Sequence, residues 1–136
     1  MQFDPYIHYK DNAEEAITFY QSIFGGELEL SRFSDIPGVG GPDEADKVVH
    51  ASLATDADFM IMASDTPSQG SFKLGNNVSL SLSGGPADDS RLRGYFDELA
   101  DGGEVVEPLA EAPWGGIFGM VRDRFDLLWM FTIATE

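Results

Sequence analysis

The chain has 136 residues, of which 43% are hydrophobic and 12% aromatic, a length that supports one packed domain rather than two independent ones. It carries 24 acidic against 8 basic residues, for a formal net charge of −16. A field of that sign repels phosphate backbones and anionic lipid head groups, so we expect neither nucleic acid nor a membrane as a partner. The chain has no cysteine, which excludes disulfides and thiolate chemistry.

The terminal segments and the charge also bear on where the protein resides. The N-terminal residues lack the basic and apolar regions of a signal peptide, and the longest apolar run near the C-terminus is too short to cross a bilayer. We therefore expect a cytoplasmic protein. Because so many acids would repel each other in dilute buffer, a salt-rich cytoplasm is a further hypothesis.

The first half of the chain predicts one helix among four strands. A short aromatic strand is predicted over residues 3–9, and Asp11-Asn12 is predicted to form a turn and the cap of the helix that follows. Apolar residues recur at helical spacing from Ala13 to Phe24, where a pair of glycines ends the helix. Further strands are predicted over residues 27–33, 48–54 and 59–63.

The second half predicts the same order of elements. A strand over residues 77–83 precedes a helix whose apolar face includes Leu92, Tyr95 and Leu99. This helix ends at Gly102-Gly103-Glu104, as the first one ends at Gly25-Gly26-Glu27. Strands follow at residues 105–106, 117–122 and 127–132. The chain therefore predicts a tandem βαβββ repeat, with module one at about 1–66 and module two at about 77–136.

Three segments of the chain carry a resemblance to a known family. The first is PYIHYKDNAEEAITFYQSIFGGEL, in which an aromatic strand precedes an Asn-Ala-Glu-Glu-Ala helix and a Phe-Gly-Gly turn. The second joins KVVHASL to FMIMASD, and the third is APWGGIFGMVRDRFDLLWMF. In this order they resemble the PhnB-like branch of the vicinal oxygen chelate superfamily, which contains glyoxalase I, extradiol dioxygenases, and fosfomycin- and bleomycin-resistance proteins.

The resemblance implies a fold and a usual metal site. The fold is α+β, glyoxalase-like, with curved mixed sheets around a cleft and usually a homodimer. Metal-dependent members hold one divalent ion at four strand positions, which fall here at or beside Pro5 and near Met62, Asn77 and Met130. Proline has no side-chain donor and thioether suits such ions poorly, so we expect this metal site to be missing and no cofactor to be present.

The two histidines of the chain, together with one of its aspartates, provide a different candidate site. His8, His50 and Asp65 together would suit a non-haem iron or a zinc ion. However, if Pro5 faces the cleft, strand alternation turns His8 toward the helix, and we favour the alternative in which both histidines are hydrogen-bonded structural residues. Without a metal, His50 could be a general acid–base catalyst oriented by Asp65, or Asp65 could be a strand-end cap.

Aromatic and basic residues near the C-terminus are candidates for ligand binding. Trp114 precedes Gly115-Gly116 and suits a loop over the mouth of a cleft. Arg122 could hold an anionic substrate, or could form a surface ion pair. Phe118 and Trp129 lie at strand spacing, together with Phe125 and Phe131, and could line the cleft or belong to the core.

These observations leave three functions open. The first is a bleomycin-resistance-type protein that binds a small molecule in an aromatic-lined cleft without the usual metal. The second is a metal-dependent lyase, isomerase or dioxygenase with a rearranged site. The third is a ligand-free structural or regulatory homodimer. Some PhnB-like relatives carry a ubiquinone methyltransferase name, but the sequence has no glycine-rich segment between strand and helix that would bind a nucleotide cofactor.

Overall fold

The computed structural model describes residues 1–38 and 40–136. The chain divides into two compact units, residues 1–74 and 75–136, and one predicted module lies in each. Within the described residues each unit contains one four-stranded sheet and one α-helix, in the order β-α-β-β-β. The predicted α+β class and tandem βαβββ order are thus confirmed.

The first unit is built on a mixed sheet with strand order β1-β4-β3-β2. Strands β1 and β4 pair in parallel, whereas β2, β3 and β4 are joined in antiparallel fashion. The elements are β1 Tyr6–Tyr9, α1 Ala13–Phe24, β2 Glu27–Arg32, β3 Val48–Ala54 and β4 Met60–Asp65.

The second unit repeats this topology with strand order β5-β8-β7-β6, in which β5 and β8 are parallel. The predicted equivalence of Met62 and Met130 holds in the structure, since each is the third residue of the last strand of its unit. The elements are β5 Ser79–Gly84, α2 Asp89–Ala100, β6 Glu104–Glu111, β7 Ile117–Arg122 and β8 Leu128–Ile133. Among the described residues, no helix is both long and apolar enough to cross a membrane.

Each sheet has one face against the helix of its own unit and one face turned away from it. We call these the helix face and the distal face. In the first unit the helix face includes Tyr9, whose hydroxyl donates to the hydroxyl of Tyr20 in α1 at 3.2 Å, and the fully buried Ile61. Residues alternate between the two faces along each strand, so the neighbours of Tyr9 and Ile61 lie on the distal face.

The N-terminus of α1 is capped from another part of the chain. Asn12 occupies the N-cap position, as predicted, but its side chain makes no hydrogen bond to the helix. Instead the amide of Ala13 donates to Oδ1 of Asp65 at 2.9 Å, and the amide of Val48 donates to Oδ2 at 2.8 Å. Because β1 and β4 pair in parallel with Tyr9 opposite Asp65, the end of β4 lies beside the start of the helix. Asn12 thus occupies the predicted cap position, but Asp65 provides the side-chain hydrogen bond to the first turn.

The second glycine of each repeated pair is required by a close approach between strands. A Cβ atom on Gly26 would overlap the carbonyl oxygen of Ala54 in β3, and one on Gly103 would overlap that of Arg122 in β7. A residue with a side chain would push β2 or β6 away from its partner. The sequence repeat thus reflects the same backbone contact in both units.

Strand β6 forms one edge of the second sheet and is exposed along nearly its whole length. Its pairing with β7 shifts register twice, on either side of Glu107. Three glutamates and Pro108 interrupt the apolar residues of this strand. The exposed edge is therefore irregular, charged and short of one backbone donor.

Candidate functional site

Both histidines of the chain lie around one tyrosine on the distal face of the first sheet. The hydroxyl of Tyr6 is 3.0 Å from Nδ1 of His50, and the hydroxyl of Ser64 is 3.2 Å from Nδ1 of His8. The Tyr6 ring lies 5.0 Å from the ring of His8 and 5.6 Å from that of His50, centroid to centroid. We call these four residues the Tyr6 cluster.

The position of His8 differs from the expectation based on strand alternation. His8 pairs with Ser64 on the distal face, whereas Tyr9 turns toward α1. Pro5 precedes the first residue of β1 and has the same parity as Tyr9. The expectation assumed that Pro5 faces the cleft, and because that assumption fails, His8 lies on the opposite face from the one predicted.

The Tyr6 cluster has the groups needed for proton transfer. In His8 and His50, Nδ1 meets a hydroxyl, and within the described residues neither Nε2 atom has a hydrogen-bond partner. When Nδ1–H donates to the hydroxyl oxygen, the neutral imidazole carries its free lone pair on Nε2, which can then accept a proton. Each imidazole can then present Nε2 to a small molecule, with its ring orientation set by Tyr6 or Ser64.

Asp65 does not belong to this cluster. It is buried, lies on the helix face opposite Tyr9, and its two carboxylate oxygens accept the amides of Ala13 and Val48. The structure therefore does not bring Asp65 to His50. The structure matches the alternative in which Asp65 is a cap. The residue beside His50 is Tyr6, in the position that was expected for Asp65.

The residues at the usual metal positions do not fit a divalent ion. The side chains of Met62 and Met130 are half-buried, and Sδ of Met130 accepts a hydrogen bond from Ser79 at 3.1 Å. With Pro5 and Asn77, they provide two thioethers and one amide, whereas such ions prefer imidazole and carboxylate ligands. In the part of the chain that the structure describes, no group of three histidine or acidic side chains could hold a metal ion, and this includes the set His8, His50 and Asp65.

The distal face of the second sheet carries a row of three half-buried side chains on β7. Phe118, Met120 and Arg122 alternate with Gly119 and Val121, of which Val121 is fully buried on the helix face. The residues opposite them on β8 are Thr132, Met130 and Leu128. This face is therefore apolar at its centre, with an aromatic ring at one end of β7 and a guanidinium at the other.

Trp114 extends the aromatic end of this row. Its side chain is 72% exposed, and its ring meets that of Phe118 edge to face at 5.6 Å. The amide of Ala112 donates to Gly116 at 2.9 Å and that of Gly115 donates to Ala112 at 3.0 Å, so Trp114 lies in a hydrogen-bonded turn between β6 and β7. The expected loop is thus a tight turn that holds an exposed indole against a second ring.

Arg122 carries a positive charge that no carboxylate neutralises within the described residues. Its Nη1 donates to the backbone carbonyl of Asp126 at 3.3 Å, and it forms no ion pair with any residue that the structure describes. Glu104 lies directly opposite Arg122 in the register of β6 and β7 and is exposed, yet the two are not joined. Five other basic residues do form ion pairs, namely Arg32, Lys47, Arg91, Arg93 and Arg124. The expected alternative of a surface ion pair is therefore not observed.

Trp129 and Phe131 belong to the core of the second unit. Trp129 is 1% exposed and its Nε1 donates to Oδ2 of Asp123 at 2.9 Å, while Phe131 is fully buried and packs against the ring of Phe96 in α2 at 5.4 Å. The expectation that Trp129 contacts a ligand is corrected by this placement. Its neighbour Met130 takes the distal face instead. Strand alternation puts the two residues on opposite faces, but the packing of α2 decides which face is the core.

Glu44 is a buried carboxylate that the sequence did not single out. It accepts the amide of Gly41 at 2.9 Å and both the amide and the hydroxyl of Ser68, and it lies 3.4 Å from Nζ of Lys47. The Gly41 amide contributes most to lowering the pKa of Glu44 from 4.5 to about 2, with Ser68 and Lys47 adding to it against the opposing effect of burial. Glu44 thus links the loop after β2 to the segment after β4.

Comparison with known proteins places this fold in a family. A family model described as 3-demethylubiquinone-9 3-methyltransferase matches residues 1–132. Protein PA1353 of Pseudomonas aeruginosa is 30% identical, with a TM-score of 0.85 over 100% of this chain and 99% of that one. A PhnB protein of Bacillus cereus is 25% identical, with a TM-score of 0.76 over 98% and 100%. Protein YjdN of Escherichia coli K12 is 26% identical over 100% and 97%. A glyoxalase/bleomycin resistance/dioxygenase domain from Frankia, at 17% identity, shares the fold alone.

Proposed function

The chain belongs to the PhnB-like family of the vicinal oxygen chelate superfamily, and on this premise we propose that it binds a small organic molecule without the usual metal of that superfamily. We assign the contact with this molecule to the distal face of the second sheet. The single observation that carries the proposal is the exposed indole of Trp114, held edge to face against Phe118 by a hydrogen-bonded turn.

An exposed tryptophan fixed in this way is suited to binding rather than to stability. An aromatic side chain stabilises a fold mainly when its ring is buried against apolar neighbours. Trp114 contributes little in this way, because 72% of its surface is exposed to water. A planar molecule laid against the indole and the Phe118 ring would remove this surface from water. Met120 and Met130 continue the apolar surface, and their flexible thioethers can adapt to ligands of different shape.

The proposal is tested by the intrinsic fluorescence of Trp114. Trp129 is buried, so the response of an exposed indole to an aromatic probe such as 2-naphthamide belongs to Trp114. We expect saturable quenching in the natural chain, weaker binding in Phe118→Ala, and loss of binding in Trp114→Ala measured by calorimetry. Phe72→Ala removes another exposed ring, in the first unit, and is the control that should bind normally. Equal affinity in all four proteins would refute the assignment.

A second candidate function is general acid–base catalysis at the Tyr6 cluster. The hydrogen bond of 3.0 Å between Tyr6 and His50 favours it, because this contact orients an imidazole whose Nε2 has no other partner in the described residues. In this proposal His50 removes a proton from a carbon next to a carbonyl group and returns it, and Tyr6 is the positioning residue. A positioned acid or base contributes about 10²- to 10⁴-fold to such a step.

Proton exchange between D₂O and simple α-hydroxy ketones, followed by NMR, tests this second function. We expect His50→Gln to abolish exchange, Tyr6→Phe to slow it, and Asp65→Asn to leave any rate per folded molecule unchanged. A chain that catalyses no exchange, or one in which His50→Gln exchanges at the natural rate, would rule out acid–base catalysis by His50.

A further inference from the structure

The positive charge of Arg122 indicates the chemical class of the ligand at the proposed site. Two basic side chains without an ion pair in the described residues, Lys10 and Lys73, lie in exposed segments outside the strands. Arg122, in contrast, is half-buried on the face of a sheet. Partial burial of an unpaired guanidinium is costly, and that cost is recovered when an anion meets it.

The surroundings of Arg122 determine which anion it can accept. With a net charge of −16, the protein repels anions in general, and the exposed carboxylate of Glu104 lies opposite Arg122 in the register of β6 and β7. A phosphate group, which carries nearly two negative charges at neutral pH, meets this repulsion more strongly than a singly charged carboxylate. The planar guanidinium also matches a carboxylate with two parallel hydrogen bonds.

The spacing along β7 connects this charge to the aromatic contact. Phe118 and Arg122 are four residues apart on one strand and share a face, which places their Cα atoms about 13 Å apart. In the structure the guanidinium of Arg122 donates to the carbonyl of Asp126, in the turn beyond β7, so a ligand held at Phe118 meets it when the side chain turns back along the strand. Met120 and its cross-strand partner Met130 lie between the two ends and carry no charge. The row on β7 therefore has aromatic rings at one end, apolar side chains in the middle, and the positive charge of Arg122 at the other end.

We propose that the ligand is an aromatic monocarboxylic acid, with its ring system against Trp114 and Phe118 and its carboxylate on Arg122. This inference rests on the proposed function, since it assigns a chemical class to the molecule bound at the same site. The ring system supplies the apolar contact and the carboxylate supplies the selectivity. A neutral compound of the same shape uses only the first contact.

Two probes that differ only in charge test this assignment by calorimetry, with 2-naphthoate as the acid and 2-naphthamide as its neutral counterpart. A hydrogen-bonded ion pair of this kind corresponds to about 10- to 100-fold in affinity. We expect the natural chain to bind naphthoate more tightly by that factor and Arg122→Gln to bind both probes equally. Glu104→Gln should strengthen naphthoate binding about 2-fold or more, because it removes a competing charge. Arg91→Gln, which breaks an exposed ion pair in α2, is the control that should keep the preference.

The outcomes separate the two levels of the proposal. If both probes bind through Trp114 but with equal affinity in the natural chain, the proposed function stands and the carboxylate assignment is overturned. The assignment is also overturned if Arg122→Gln weakens both probes alike, because that result indicates a structural role for Arg122. If neither probe binds, the proposed function and the assignment fail together.

Discussion

Replacement of Asp65 by alanine is expected to destabilise the first unit more than any substitution of an exposed acid. The variant would leave the buried amides of Ala13 and Val48 without the acceptors that they now meet at 2.9 and 2.8 Å. An unsatisfied buried donor costs about 1–3 kcal/mol, so the two together correspond to about 4 kcal/mol. Because small domains are stable by about 5–15 kcal/mol, such a loss brings the first unit close to unfolding.

Urea unfolding followed by circular dichroism measures this difference directly. Asp11→Ala is the matched control, since it removes one exposed negative charge beside the same helix. Asn12→Ala is the second control and should change stability by less than about 0.5 kcal/mol, because its side chain makes no cap hydrogen bond. The reasoning is refuted if Asp65→Ala lies within about 1 kcal/mol of the natural chain, or if Asn12→Ala proves the more destabilising of the two.

Three other properties can be measured on the same protein. The folded pKa of Glu44, about 2, lies below its ordinary value of 4.5, so its stabilising effect is complete above about pH 4.5 and is lost as the pH falls toward 2. Glu44→Gln should therefore lower the unfolding free energy at pH 7, and the difference from the natural chain should shrink by pH 3; a constant difference would contradict this. Gly103→Ala should destabilise by about 1–3 kcal/mol through overlap with Arg122, whereas Gly94→Ala, which meets open space in α2, should stabilise by about 0.5–1 kcal/mol. Light scattering in molar KCl should give twice the 14.8 kDa mass of one chain if the expected homodimer forms, and a mass of one chain would exclude it.

The order of elements could be predicted from the sequence because it depends on local signals. The residues of α1 follow the helical period, and the glycine pairs end both helices at the same point of each repeat. Strand β3 was predicted with its observed bounds, since it lies between polar turns. β6 is longer than predicted because its pairing with β7 continues through glutamates and Pro108, which have low strand propensity.

Contacts between distant segments could not be predicted in the same way. Asp65 caps a helix that begins 52 residues earlier, and no local pattern at Ala13 indicates this. The face occupied by His8 depended on an assumed orientation of Pro5. Trp129 and Phe118 have the same spacing pattern in the sequence, and only the packing of α2 against the sheet distinguishes a core ring from one on the distal face.

The irregular edge of β6 has a consequence for how the protein behaves when it is concentrated. A strand from a neighbouring chain would meet the missing donor of Pro108, two changes of register and a series of negative charges. Each of these prevents the regular backbone pairing on which fibres grow. The second unit can therefore remain dispersed in a crowded solution despite the exposed Val105 and Val106. Replacing Pro108 and the glutamates of this strand with threonine would provide a continuous edge, and we expect aggregation rather than any change in fold to be the first effect.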